Sequence, residues 1–305
     1  MPEIGIVILN YNTWEDTARC VESIRDNPPQ VSYEIILVDN ASTVPKNGEI
    51  DDLIRRHELI YIENEKNVGY NGGNNIGVRK ALELGCSGII IANSDVCFSR
   101  GCIESLRQYA ASHPDVGIVG PKILDNNGNV QRSNLCRRTG MKEKYLVRTR
   151  LHAVFRRAHR SYFGFDRDYD STFSVYAVLG CCFYITRSCA EAVTPFDDYP
   201  FLYEEELILG IHMEEKGFAT VYHGAAQVRH IHGASTRRVK PFSYAHNIRS
   251  EIYYCRRYLR AKRWQIMPLY CYRVLLYLAR CFCYRDFRSF FGKFIKMTRE
   301  ELDKC

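Results

Sequence analysis

Short apolar runs that end abruptly in polar clusters are the strongest constraint on this chain. "IGIVIL" (4–9) leads into Asn10, Tyr11 and Asn12; "YEIILVD" (33–39) leads into Asp39, Asn40 and Ser42; "GIIIAN" (88–93) leads into Asn93, Ser94 and Asp95. Runs of this length, rich in Ile and Val, read as strands buried on both faces. "LIYIEN" (59–64) and "VGIVG" (116–120) are further strands. Helical patterns lie between them: one from Thr13, whose hydroxyl can cap the turn with Asp16 three residues on, one over 73–84 and one over 100–112. The alternation predicts an α/β fold built on a mostly parallel sheet with helices on both faces.

The second half is less regular. "DNNGN" (125–129) is a turn, and the basic stretch 131–160 shows only a weak helical pattern, read as mobile surface. "FSVYAVLGCCFYITR" (173–187) predicts strand, turn and strand, and "EEELILGIHMEEKG" (204–217) a helix closed by Gly217. The chain divides into a main domain over 1–250 and a basic helical extension over 251–305. Residues 255–305 hold 13 Lys and Arg against 4 Asp and Glu, a net of +9, whereas the whole chain carries +7. Within the extension, Arg273 and Arg280 stand seven apart on one face of an otherwise apolar segment, 264–283. An amphipathic helix lying in a membrane interface and a helix packed on the main domain with its arginines in water both satisfy that pattern.

The 13 cysteines are scattered and odd in number, which favours reduced thiols. The opening "MPEIGIVILNYN" has no basic region followed by an apolar signal segment, so a cytosolic location is expected. There the "NAS" triplet at 40–42 has no meaning as a glycosylation acceptor.

Ligands of an open parallel sheet bind outside the carboxyl ends of its strands. Any one polar strand end reads as helix capping, but three describe a pocket. A dinucleotide fold would place G-x-G-x-x-G after the first strand, where this chain has "NYNTWED", and no P-loop is present. A bound nucleotide must therefore be held by side chains, with a metal neutralising its phosphates. Asp95, a carboxylate at a strand tip, suits Mg²⁺ or Mn²⁺. Asp39 can accept hydrogen bonds from a ribose or base edge.

"ILNYN", "VDNAS", "NVGYNGGNNIG" (67–77) and "NSD" (93–95), in this order, resemble the family 2 glycosyltransferases of the GT-A fold, and more narrowly the rhamnosyltransferase-like members of bacterial surface polysaccharide synthesis. The resemblance covers roughly residues 3–250. It implies that Asn10, Tyr11, Asn12 and Asp39 line the nucleotide pocket, with Asn67, Gly69 and Asn75 near the nucleotide and donor sugar, Asn93 and Ser94 beside them, and Asp95 as the metal ligand. Ser94 stands where relatives carry proline or a second acid, so one direct carboxylate ligand is expected. "FLYEEELILG" (201–210) resembles the segment that supplies the base; the run of three acids leaves two registers, and matching "FLY" and "ILG" makes Glu205 and Glu206 the acidic pair, with Glu206 as the base and Glu205 as the alternative. Acids in a first helical turn are also favoured by the helix dipole alone. In "VRHIHGAS" (228–235), His230 fits a metal or diphosphate contact by its spacing to Gly233 and Ser235, with His232 open to either role. "LGCCFYI" (179–185) matches a segment near the acceptor, and a buried strand explains it equally.

The resemblance thus implies an inverting, metal-dependent transferase of the hexosyltransferase class. Its donor would be a nucleotide-diphosphate sugar and its acceptor a polyprenyl-linked or other saccharide at the cytosolic membrane face, reached through the basic tail. A nucleotidyltransferase would share the strand-end aspartates but wants a glycine-rich basic loop after the first strand. A nucleic-acid-binding protein would account for the charge, yet no recognised motif accompanies it, and nucleic acid is not an expected partner.

Overall fold

The computed structural model describes residues 1–305 except 47, 57 and 232–239. The first half comprises β1 (Ile4–Asn10), α1 (Trp14–Asp26), β2 (Tyr33–Asp39), α2 (Gly48–Arg55), β3 (Ile60–Glu63), α3 (Gly69–Glu83), β4 (Gly88–Asn93), β5 (Val96–Phe98), α4 (Cys102–Ser112) and β6 (Val116–Leu124). There follow α5 (Met141–Leu146), a 3₁₀ turn (Arg150–Ala153), α6 (Arg156–Phe163), β7 (Thr172–Val175), β8 (Cys182–Thr186), α7 (Arg187–Val193), α8 (Glu205–Lys216) and β9 (Ala219–His230). Three helices close the chain, α9 (Pro241–Arg257), α10 (Arg263–Cys283) and α11 (Arg285–Leu302).

The strands form one sheet, ordered β3-β2-β1-β4-β8-β6-β9-β5, with β7 also on β9. The half containing β3, β2, β1 and β4 is parallel throughout. Beyond β4 the sheet is mixed: β8 runs antiparallel to β4 and β6, β9 is parallel to β6, and β5 and β7 are antiparallel to β9. The expected parallel pairing holds throughout β3, β2, β1 and β4 and again between β6 and β9, and the remaining pairs are antiparallel.

Apolar residues of the strands alternate between two cores. Ile4, Ile6, Ile8, Ile90 and Ala92 pack with α1, α2 and α4, whereas Val7, Ile36, Val38, Ile89 and Ile91 pack with α3, α7 and Met213 of α8. A third core joins Leu207, Ile208 and Ile211 of α8 to Tyr254, Tyr277 and Phe294 of the three terminal helices. The boundary expected at 250/251 falls inside α9, and the terminal helices share this core with α8. α10 is long and apolar enough to cross a membrane by length and composition alone, with 17% of its apolar window buried.

Three local readings are corrected. Thr13 precedes α1 but does not cap it; its hydroxyl donates to Asn10 Oδ1 at 2.9 Å and contacts Ser94 Oγ at 2.8 Å. α3 begins at Gly69, four residues before the expected start. Glycine lowers helix propensity, yet here it allows close packing: a Cβ on Gly77 would meet Val7 Cγ1 at 2.2 Å. The stretch 131–160 is not mobile surface but α5, a 3₁₀ turn and most of α6. Its anchor is Lys144, fully buried, with Nζ 2.6 Å from Glu204 Oε2 and 3.6 Å from Glu251 Oε1.

Candidate active site

Register brings the polar strand ends together. Asn10 lies opposite Asp39 across β1 and β2, and Leu9 opposite Asn93 across β1 and β4, so the carboxyl ends meet along one edge. Asp39 is buried and accepts from Ser42 Oγ at 2.5 Å, Asn10 Nδ2 at 3.1 Å and Tyr61 OH at 3.4 Å. Asn10 is fully buried, and its Oδ1 also accepts from Thr13 and Thr17, so it braces the floor of the pocket and does not line it. Asn12 has φ of 60° and accepts from the Thr43 and Val44 amides at 2.7 and 3.0 Å, which fixes the loop after β2. Tyr11 is exposed beside it.

The glycine- and asparagine-rich segment forms the adjoining wall. Asn40 Nδ2 donates to Asn67 Oδ1 and to the Gly69 carbonyl, both at 3.0 Å, and Asn67 Oδ1 accepts the Gly69 N–H at 2.9 Å. Gly69 has φ of 80°, and a Cβ there would meet the Phe201 carbonyl at 2.5 Å, so only glycine fits. Asn75 lies deeper than expected. Its side chain exchanges hydrogen bonds with the backbone of Phe196, at 2.9 and 2.7 Å, and so ties α3 to the segment entering α8.

Asp95 and His230 face each other. Pairing of Val96 with His230 places the end of β9 beside the turn after β4, and the Ile231 N–H donates to the Asp95 carbonyl at 2.8 Å. His230 Nε2 lies 3.1 Å from Asp95 Oδ1. Ser94, buried, points back to Thr13. Among the described residues no group of three or more His, Cys, Asp or Glu side chains could hold a metal. A carboxylate and an imidazole are nevertheless a suitable protein contribution for Mg²⁺ or Mn²⁺, which take their remaining positions from water and phosphate oxygen. His232, Gly233 and Ser235 lie outside the described residues.

The acidic triplet divides by direction. Tyr203 and Glu204 both adopt left-handed backbone, with φ of 74° and 72°, a turn that such residues rarely make. Glu204 turns inward to Lys144. Glu205 Oε1 accepts the Tyr203 N–H at 2.6 Å, and Glu206 Oε1 accepts the Gly180 N–H at 3.2 Å. Burial, reinforced by Glu206, pushes the Glu205 carboxyl above its ordinary value, and burial likewise raises Glu206. Two half-buried carboxylates with raised pKa values at the start of a helix suit proton abstraction near neutral pH. Gly180 links the two centres: the next residue, Cys181, accepts the Asn93 N–H through its carbonyl at 2.8 Å, two residues from Asp95.

Sequence reasoning missed Tyr61, whose hydroxyl bonds Asp39, and Arg148. Burial works against the Arg148 charge, but Glu204 and a hydrogen bond to Tyr162 hold its pKa above the ordinary value. Tyr61 sits mid-strand with no local signal, and Arg148 lies in the stretch read as mobile.

A half-parallel sheet with a polar carboxyl edge, an Asp-His pair at its switch point and a facing acidic helix start define a GT-A glycosyltransferase. The chain belongs to glycosyl transferase family 2, whose model matches residues 5–174. It is 28% identical over 218 residues to the N-acetylglucosaminyl-diphospho-decaprenol L-rhamnosyltransferase of Mycobacterium tuberculosis, covering 67% of this chain and 68% of the relative. It is also 28% identical over 131 residues to the low-salt glycan biosynthesis hexosyltransferase Agl10 of Haloferax volcanii, 42% of this chain and 39% of that one. Among solved structures, GalNAc-T7 with UDP, GalNAc and Mn²⁺ superposes with a TM-score of 0.58 at 15% identity, covering 83% of this chain. S. aureus TarS 1-349 with UDP-GlcNAc gives 0.53 at 11%, covering 84%. The chain spans 50% of the GalNAc-T7 chain and 67% of TarS 1-349, and both likenesses concern the fold.

Proposed function

We propose that this chain is a rhamnosyltransferase-like, inverting and metal-dependent enzyme. It moves a sugar from a nucleotide-diphosphate sugar to a hydroxyl of a polyprenyl-diphosphate-linked oligosaccharide in cell-surface polysaccharide synthesis. The observation that carries this reading is the placement of Asp95 with His230 and of Glu206 on either side of Gly180–Cys181. Asp39, Tyr11 and Asn12 hold the nucleoside, with Asn67 and Gly69 shaping the wall beside the donor. Asp95 and His230 would hold Mg²⁺ or Mn²⁺, which supplies charge neutralisation for the departing diphosphate. Glu206 takes the proton of the acceptor hydroxyl while its oxygen bonds to the anomeric carbon from the face opposite the diphosphate, which leaves with the electron pair of the broken bond. The M. tuberculosis relative, whose name specifies a diphospho-decaprenol acceptor, supports the lipid-linked acceptor.

Asp95→Asn tests the donor half. Donor turnover across a panel of nucleotide sugars is expected to fall at least about a hundredfold, together with loss of metal-dependent thermal stabilisation by the donor. Turnover and stabilisation equal to wild type would sink the assignment.

Peripheral membrane contact falls in this reading to α10, though by the opposite face from its arginines. Arg273 turns inward, donating to Glu251 at 2.8 and 2.9 Å, and Arg280 stacks over Tyr244 at 4.7 Å. Trp264, Leu275, Leu278 and Phe282 are left exposed, flanked by the exposed Lys262, Arg285 and Arg288. An apolar stripe bordered by cations suits an anionic lipid interface. Leu278→Glu with Phe282→Glu is expected to weaken cosedimentation with phosphatidylglycerol vesicles at least about tenfold, since each side chain loses roughly 1.5–3 kcal/mol of burial. Unchanged cosedimentation would remove this face from the reading.

A further inference from the structure

A cavity of about 860 Å³ opens between the 3₁₀ turn, α6, α8 and α10. It begins at Glu206 and ends at Leu276, Ala279 and Cys283, beside the exposed apolar stripe of α10. Between these ends its wall is cationic, with Arg148, Arg150 and Arg280 and the imidazoles of His152 and His159. Neither Arg150 nor Arg280 forms a salt bridge among the described residues, although two carboxylates, Glu204 and Glu206, share the cavity. Glu204 is neutralised by Lys144, and Glu206 is the base assigned above. Arg148 is engaged by Glu204 and Tyr162, but Arg150 and Arg280 have no carboxylate within salt-bridge distance among the described residues, and two such guanidinium groups in a cleft with both a base and an apolar exit call for an anion joined to an apolar chain.

We infer that this cavity is the subsite for the acceptor's diphosphate. Arg150 and Arg280 grip its oxygens, the sugar extends toward Glu206, and the lipid leaves along α10 into the bilayer. The inference rests on the glycosyl-transfer reading, which it deepens by adding a second diphosphate site, separate from the donor site at Asp95. The positions fit the task. Arg150 is exposed, and its backbone N–H donates to Tyr272 Oη of α10 at 3.1 Å, which ties the cationic turn to the apolar helix. Arg280 is held in place over Tyr244 with its charge unspent on any carboxylate.

The test uses the full chain in metal-free buffer, with farnesyl diphosphate below its micellar concentration as the probe, followed by titration calorimetry. Wild type is expected to bind, and Arg150→Ala and Arg280→Ala are each expected to weaken binding about tenfold or more, with melting temperatures unchanged. Asp95→Ala is expected to bind like wild type, and saturating UDP to leave the probe in place. The inference is overturned if wild type does not bind, if UDP displaces the probe, or if both arginine variants bind as wild type. Inorganic pyrophosphate binding as tightly as farnesyl diphosphate would overturn the lipid source. Donor binding without farnesyl diphosphate binding overturns the cavity alone. Farnesyl diphosphate binding without binding of any nucleotide sugar overturns the glycosyl-transfer reading and supports the anion site.

Discussion

Replacing Glu206 with glutamine is expected to slow sugar transfer about 10²–10⁴-fold while leaving donor binding in place. The amide keeps the volume of the carboxylate and can still accept the Gly180 N–H, now 3.2 Å away, so geometry survives and basicity does not. Single-turnover transfer measures the chemical step, and donor titration gives the binding. Glu205→Gln is expected to have the smaller effect, because that carboxylate is engaged by the Tyr203 N–H within its own turn. The reverse order of losses would move the base to Glu205. The same substitutions carry a stability signature. Burial raises both carboxyl pKa values, so the pair's favourable contribution is present below the ordinary glutamate pKa and is lost as pH rises through the raised values. Glu206→Gln fixes a neutral group there, and its melting temperature relative to wild type should therefore be higher at pH 8 than at pH 5.

Lys144→Met is expected to destabilise the fold by about 3–5 kcal/mol, read from urea unfolding midpoints, because it removes one partner of a buried ion pair. Lys144 on α5 meets Glu204 at the start of α8 and Glu251 on α9, and Glu251 in turn receives both nitrogens of Arg273 on α10. Four elements therefore converge on one charge cluster with almost no access to water. Burial alone would raise the Glu251 carboxyl, but Lys144 and Arg273 bring it below its ordinary value. Its stabilising contribution is thus present above the ordinary glutamate pKa and is lost as pH falls through the lowered one, so Lys144→Met should also move acid unfolding to higher pH. Adding Glu204→Gln to Lys144→Met should recover part of the loss, since the second change removes the stranded charge. A loss below about 1 kcal/mol would show that water reaches the cluster.

The two substitutions mark what local sequence could and could not disclose. Asp39, Asn93 and Asp95 were legible because an apolar run of β length leaves its carboxyl end at a predictable edge. The end of α8 was legible because Gly217 adopts the left-handed conformation that closes a helix. α3 was placed late because its glycines read as a turn, whereas their lack of side chains lets the helix lie against β1. The family resemblance implies that Asn10 and Asn75 contact the donor, yet each spends its amide on the protein itself.

Sequence alone determined the parallel half of the sheet, its polar carboxyl edge and the family, since these follow from side-chain alternation and from motifs a few residues long. Only the tertiary structure decided which glutamate of "EEE" faces the cleft, that Lys144 is a core residue, that α10 turns its arginines inward, and that His230 lies against Asp95. Each of these depends on a partner 22 to 135 residues away in the chain, and pairing over such distances is set by packing and charge balance that no local pattern records.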